Sequence, residues 1–287
     1  MGAASPGFDI SGPGNEELQA WFSYYASHLV GLAGLWQPLG SGRAPKGEAQ
    51  CFFRSAFVIA IRQSWYLATA GHIVRDIESN SRCGKADVRE FYLVDCFGLG
   101  VRSKQPIPFD YAGSYKFFRC DDDEGLDFGI IELRPYYRRL LRANGVVAIS
   151  KKDWRHQNRV QFSKYFMLGL PTDCIEQHIN RERRSYTVRG KSVPSMVYLS
   201  EVKKPKKDWL KPYPRFIGRV SVRHRLSVGD IDGMSGGPIF GVSAQTPARH
   251  YIVAVQAAWL PRQGVTFGCP VPVFARLAEQ HLKQIGR

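Results

Sequence analysis

No stretch of this 287-residue chain reaches the roughly 18 uninterrupted apolar residues that a membrane-crossing helix needs, so no transmembrane helix and no membrane partner are predicted. Residues Met1 to Gly7 have no basic region followed by an apolar block, and Pro6 stands where a myristoylation signal needs Ser or Thr. These absences make a cytoplasmic protein the expectation. The six cysteines, Cys51, Cys83, Cys96, Cys120, Cys174 and Cys269, have neither the close spacing of a metal site nor the density of a disulfide framework. Reduced thiols are therefore predicted, and no metal or organic cofactor is implied. Internal repeats and low-complexity tracts are also absent. With 44% hydrophobic residues the chain is long enough and apolar enough to bury a substantial core.

The most informative stretch is Gly233-Met234-Ser235-Gly236-Gly237-Pro238, a serine set between glycines that let backbone crowd around a hydroxyl. A serine hydroxyl is a weak nucleophile near neutral pH and needs a general base. His72 is the candidate, at the end of the apolar run Tyr66-Leu67-Ala68-Thr69-Ala70-Gly71. A carboxylate to orient that imidazole is best supplied by Asp127, which leads directly into Phe128-Gly129-Ile130-Ile131. Asp121, Asp122 and Asp123 lie close by, but the triplet reads as a solvated loop. The backbone N–H groups of Gly233 and Ser235 are the candidate oxyanion hole. Each motif also has an ordinary alternative: a Ser-Gly-Gly-Pro turn can be a plain loop, and a histidine after an apolar run is often a core residue.

The order His72, Asp127, Ser235 resembles that of the trypsin/chymotrypsin-like serine protease family, and the chain looks more like a compact, bacterial-type trypsin-like peptidase domain than a digestive enzyme. The resemblance covers about residues 45 to 280. It implies an all-β, chymotrypsin-like double six-stranded antiparallel β-barrel with an N-terminal helix and a C-terminal helix. It also implies a serine endopeptidase acting through an acyl-enzyme on a protein or peptide substrate. In secreted trypsins a cysteine follows the catalytic histidine; here that residue is Ile73. The digestive enzymes place Asp before the nucleophile, to pair with a newly cut N-terminal amine. Met234 cannot do so, and no Ile-Val-Gly-Gly-like start is present, which implies either a constitutively formed site or one switched by a regulatory protein partner. The resemblance puts the floor of the substrate pocket at Gly229, which is not acidic, with Asp230 nearby and Gln256, Ala257 and Trp259 along the opposite wall. Asp230 and Asp232 read equally as turn-forming or solvated acids, and Trp259 as a buried strand residue.

The expected organisation is a leader and helix over 1–44, followed by a peptidase domain over 45–287 with barrel subdomains at about 45–140 and 155–275. Gly14 to Trp36 reads as one amphipathic helix. Strands are predicted at Cys51 to Arg62, Trp65 to Ala70, Val88 to Phe97, Tyr115 to Cys120 and Phe128 to Leu133, and a basic helical piece at Pro135 to Asn144. A second set follows at Val160 to Leu170, Tyr186 to Val202, Phe216 to Val222, Pro238 to Val242 and Tyr251 to Trp259, with a closing helix at Val273 to Ile285.

The formal net charge is +15. Residues 181–225 hold fourteen Lys or Arg against three Asp or Glu, including Lys203-Lys204-Pro205-Lys206-Lys207. Such a segment attracts an acidic partner, an acidic substrate region or nucleic acid, and equally reads as a solvated loop; nucleic acid is a possible but not a favoured partner of the protein. Two other functions share the sequence features: a catalytically silent binding module docking through a basic face, and an esterase-like hydrolase using the same three residues.

Overall fold

A computed structural model describes residues 15–40, 45–95, 97, 103, 105–154, 160–182, 185–221, 231–246 and 249–287, with backbone alone for 15–19 and 177–191. Helices are α1 (Asn15–Ala26), α2 (Gly71–Arg82), α3 (Pro135–Ala143), α4 (Lys151–Trp154) and α5 (Val271–Gln284). The first half holds β1 (Gly31–Pro38), β2 (Gln50–Arg54), β3 (Phe57–Ile61), β4 (Ser64–Thr69), β5 (Ala86–Val94), β6 (Ile107–Pro108), β7 (Lys116–Asp121) and β8 (Leu126–Leu133). The second half holds β9 (Phe162–Gly169), β10 (Ile175–Glu182), β11 (Ser185–Ser192), β12 (Ser195–Glu201), β13 (Phe216–Val220), β14 (Pro238–Ser243), β15 (His250–Leu260) and β16 (Val265–Pro270).

The second half closes into a six-stranded barrel in the order β12-β13-β16-β15-β14-β9. In the first half the orders are β2-β1-β5-β6 and β3-β4-β8-β7. These two sheets are continuous around a corner. Only Ser55 and Ala56 separate β2 from β3, and Leu29, just before β1, bridges Phe57. With β2 and β3 taken as one bent strand, this half also has six principal strands, and α2 packs against β5, β7 and β8. The all-β double-barrel class with a helix at each end is thus the architecture found. No helix among the described residues is long and apolar enough to cross a membrane.

Strand periodicity explains how the halves share a core. Side chains alternate faces along a strand, so Phe57, Ile59 and Ile61 of β3 join Phe128 and Ile130 of β8 in a cluster that continues to Phe166, Phe240 and Phe274 of the second half. Val58 and Ile131, on the opposite faces, fill the first half alone with Leu67 and Val74. The barrel interior holds Met167, Val197, Met234 and Ile239. Helix α5 packs on β15 and β16 but also on β3 and β8, tying the halves together.

The helix expected over Gly14 to Trp36 stops at Ala26, and its last third is β1. Glycine weakens a helix interior, and Gly31 and Gly34 both fall in this stretch; in the sheet, β1 gains a partner on each side, β2 and β5. Similarly, the run expected over Tyr186 to Val202 is two strands, β11 and β12, interrupted at Pro194.

A carboxylate behind β5 sets a pH dependence. Asp95 is 3% exposed, with Oδ2 lacking a partner among the described residues. Burial pushes its carboxyl up to about 6, a rise only partly opposed by a hydrogen bond with Asn144. An acid whose folded pKa is raised destabilises the fold as pH climbs through that window: below the unfolded value of 3.8 both states are protonated, and above about 6 both are ionised. Stability should therefore fall between pH 4 and 6 by on the order of 1–3 kcal/mol from this group. Asp95→Asn should remove that slope and be the more stable protein at pH 7, as checked by urea unfolding at both pH values.

Candidate active site

Asp127 is the second residue of β8, and His72 the second residue of α2. The carboxylate holds the histidine at two points. Oδ1 accepts the backbone N–H of His72 at 2.8 Å, and Oδ2 lies 2.7 Å from Nδ1. The first bond satisfies one of the N–H groups that every helix start leaves without an intrahelical partner, and Ala70, at the cap position, offers no side-chain acceptor. The helix dipole favours an anion at the same place. An ionised carboxylate can only accept, so this geometry suits the tautomer in which Nδ1–H donates to Oδ2 and Nε2 keeps its lone pair. Both side chains are partly shielded, at 27% and 21% exposed. Gly71 lets the helix begin this close to the sheet: a Cβ there would lie 2.0 Å from the Arg119 carbonyl oxygen of β7.

On the other side of Asp127, the Cys269 thiol of β16 is 1% exposed, and burial pushes it up to about 12, so it stays neutral beside the carboxylate. The acidic triplet has other duties. Asp121 Oδ1 accepts the Glu124 N–H, and Asp122 pairs with Arg215 at 3.1 Å and Lys211 at 3.5 Å. Cys83, Cys120, Cys174 and Cys269 are free thiols. Among the described residues no group of three or more His, Cys, Asp or Glu gathers as a metal site.

Ser235 and Gly233 line the same cleft as His72, a space of about 750 Å³ walled by Trp36, Phe52, Phe53 and Arg54. Burial weakens the Arg54 guanidinium, and the nearby carboxylates of Asp232 and Asp76 offset part of that effect.

The loop from 231 to 237 is anchored through its carbonyls. Asp232 O accepts the Thr172 N–H at 2.8 Å, Gly233 O accepts the Ser55 hydroxyl at 3.3 Å, and Met234 O accepts the Gly237 N–H at 2.9 Å. The amides of Met234 and Gly236 are spent on Ile231 O and Gln256 O. The N–H groups of Gly233 and Ser235 have no acceptor among the described residues. A trans peptide is planar and holds its N–H opposite its carbonyl. Fixing the carbonyls of Asp232 and Met234 therefore also fixes the directions of the Gly233 and Ser235 N–H groups. Gly233 has φ +84, a left-handed value that glycine adopts readily, and a Cβ there would sit 2.3 Å from Thr172 Oγ1.

Ser55 and Thr172 are the residues that sequence reasoning missed. A lone serine between two strand-like runs, or a threonine after Gly-Leu-Pro, reads as loop. Gly229 and Asp230, expected in the substrate pocket, lie outside the described residues. Gln256, Ala257 and Trp259 are on β15, whose backbone pairs with the loop that carries Ser235. Gln256 is 0% exposed, its backbone is spent on Gly236 and Gly237, and both of its side-chain polar atoms lack partners among the described residues. Ala257 is buried, and Trp259 packs beside the barrel-interior cluster.

No protein-family model matches the chain, and no curated protein matches it. Solved structures similar to it include proteases. One is a thermostable serine protease, AL20, from an extremophilic microorganism: 12% identity over 89% of this chain and 96% of that one, TM-score 0.43. Another is a catalytically active tobacco etch virus protease complexed with product: 12% identity over 91% and 80%, TM-score 0.42. A third is a Glu endopeptidase in complex with MPD: 12% identity over 89% and 91%, TM-score 0.43.

Ser55→Ala would leave the buried Leu170 N–H, which donates to the Ser55 hydroxyl at 2.8 Å, without an acceptor. Unfolding in urea should show a loss of about 1–3 kcal/mol, the usual cost of a buried donor left unpaired. Wild-type stability in this variant would show that the hydroxyl is not needed at the seam.

Proposed function

We propose that the protein is a serine endopeptidase in which His72, Asp127 and Ser235 form a catalytic triad and the N–H groups of Gly233 and Ser235 form the oxyanion hole. The observation that carries this reading is the double attachment of His72 to Asp127, which leaves Nε2 as the one basic nitrogen on a ring sharing a cleft with Ser235.

In this reading Nε2 takes the proton of the Ser235 hydroxyl as its oxygen attacks the substrate carbonyl carbon. Asp127 stabilises the imidazolium that results. The carbonyl oxygen gains negative charge and meets the N–H groups of Gly233 and Ser235. Collapse expels the amine, which takes the proton from His72 and leaves an acyl group on Ser235. Water, deprotonated by His72, then releases the acid and restores the hydroxyl.

The anchored loop also favours a constitutively formed site over a partner-switched one. Met234 is 0% exposed among apolar neighbours, and the loop carbonyls are held by Thr172, Ser55 and Gly237, so no ion pair with a processed N-terminus is required.

An active-site-directed fluorophosphonate should label Ser235, and the protein should hydrolyse a generic peptide pool. Ser235→Ala should abolish labelling and lower turnover about a millionfold; Asp127→Asn should cost roughly ten-thousandfold through the wrong histidine tautomer. A folded protein that takes no label would instead be a silent binding module, and labelling with ester but no peptide turnover would mark an esterase-like hydrolase.

Thr172→Pro probes the carbonyl anchor. Residue 172 opens a short 3-10 turn after an extended Pro171 (φ −62, ψ 144), a place that accepts proline. The missing N–H frees the Asp232 carbonyl. Turnover should fall roughly tenfold or more with KM little changed, a fraction of the ~100- to 1,000-fold cost of losing an oxyanion donor outright.

A further inference from the structure

We infer that the exposed face of α3 is a binding surface for single-stranded nucleic acid, built from Arg138, Arg139, Arg142 and Tyr136. This surface is separate from the cleft and does not rest on the peptidase reading.

Helix α3 buries Tyr137 and Leu141 in the core of the first half. Its remaining face carries three arginines and a tyrosine that is 55% exposed, with no acidic residue in the first turn. Arg134, one residue before the helix, is paired with Asp110 at 3.2 Å. Among the described residues Arg138, Arg139 and Arg142 have no carboxylate partner. Like charges three and four residues apart oppose helix formation, so this sequence carries an electrostatic cost that an anionic ligand would remove.

The arginines are held in place by rings. The guanidinium of Arg142 lies 4.6 Å, and that of Arg138 5.7 Å, from the ring centre of Trp65, which is itself 7% exposed. Arg138 also donates to the Gln63 carbonyl at 3.4 Å, and Arg139 lies 5.9 Å from the Tyr136 ring. Stacking pre-orients each planar fork, so less side-chain freedom is lost when it meets a phosphate. An exposed ring beside those cations is the pairing used to hold a strand: cations follow the backbone, and the ring stacks a base. A lipid surface fits less well. Membrane-lying helices need a free apolar face, and α3 has spent its own on Tyr137 and Leu141.

The test uses the full chain and a fluorescent single-stranded RNA oligonucleotide of mixed sequence, titrated over a series of KCl concentrations, with duplex RNA and phosphatidylserine vesicles as comparisons. Binding should favour the single strand, and its logarithm should fall linearly with the logarithm of salt. The triple variant Arg138→Gln, Arg139→Gln, Arg142→Gln should bind more weakly and lose about 2 from that slope, near 0.7 for each phosphate contact removed. The same three positions changed to Lys should keep the slope, which a merely structural role for the arginines would not predict. Tyr136→Ala should weaken binding about tenfold by loss of a stacked base. An unchanged slope in the Gln variant would overturn the proposal, as would a preference for vesicles or duplex. So would loss of binding only when Lys203, Lys204, Lys206 and Lys207 are changed to Ser.

Discussion

The hydroxyl of Ser55, fully buried where β2 turns into β3, accepts the Leu170 N–H from the end of β9 and donates to the Gly233 carbonyl of the loop that carries Ser235. Its own carbonyl accepts the Thr69 hydroxyl at 2.8 Å, at the end of the strand that leads to His72. One residue of the first half thereby touches the strand before the histidine, the edge of the second barrel and the loop of the serine. The seam adds directional hydrogen bonds to the apolar core that the two halves share. A buried hydrogen-bonded group is costly to disrupt, because either partner left alone cannot recover its bond from water, and the seam resists opening for that reason.

Around this seam His72 and Gly233 are fixed by bonds to elements far away in sequence, and Ser235 by a bond within its own turn. His72 is held by ring and backbone to the same carboxylate, so its ring orientation and the start of its helix are one structural event. Gly233 and Ser235 are aimed through the carbonyls of their peptide planes. This arrangement has the preorganisation that makes fixed dipoles effective against developing charge, since nothing needs to reorient when the charge appears. The apolar Met234 fits this arrangement, because its side chain is fully buried in the barrel-interior cluster while the carbonyls on either side of it are anchored.

The groups proposed to do chemistry were legible because their demands are local. A nucleophile loop needs glycines next to the serine, and a carboxylate at the head of an apolar strand stands out by contrast. Most strands, α3 and α5 were legible from period and composition. The anchors were not: Ser55 acts on a residue 178 positions away, and nothing in its neighbours announces that. The first strand was read as helix because Trp21, Phe22, Tyr25 and Leu29 set a helical period that masks the change at Gly31. Helix α2 was hidden by the strand-like run before His72. Backbone pairing of Gln256 to Gly236 and Gly237 sets β15 beside the loop that carries Ser235, a long-range pairing that the local sequence does not announce.

The most direct test of the central claim, that the loop is already set to receive an oxyanion, is a crystal structure of the fluorophosphonate adduct at Ser235. The phosphonyl oxygen should lie about 2.7–3.1 Å from both the Gly233 and Ser235 nitrogens, with the bonds from Thr172 to Asp232 and from His72 to Asp127 unchanged. A phosphonyl oxygen turned away from those nitrogens, or a loop that reaches them only by breaking the Thr172 bond, would contradict it.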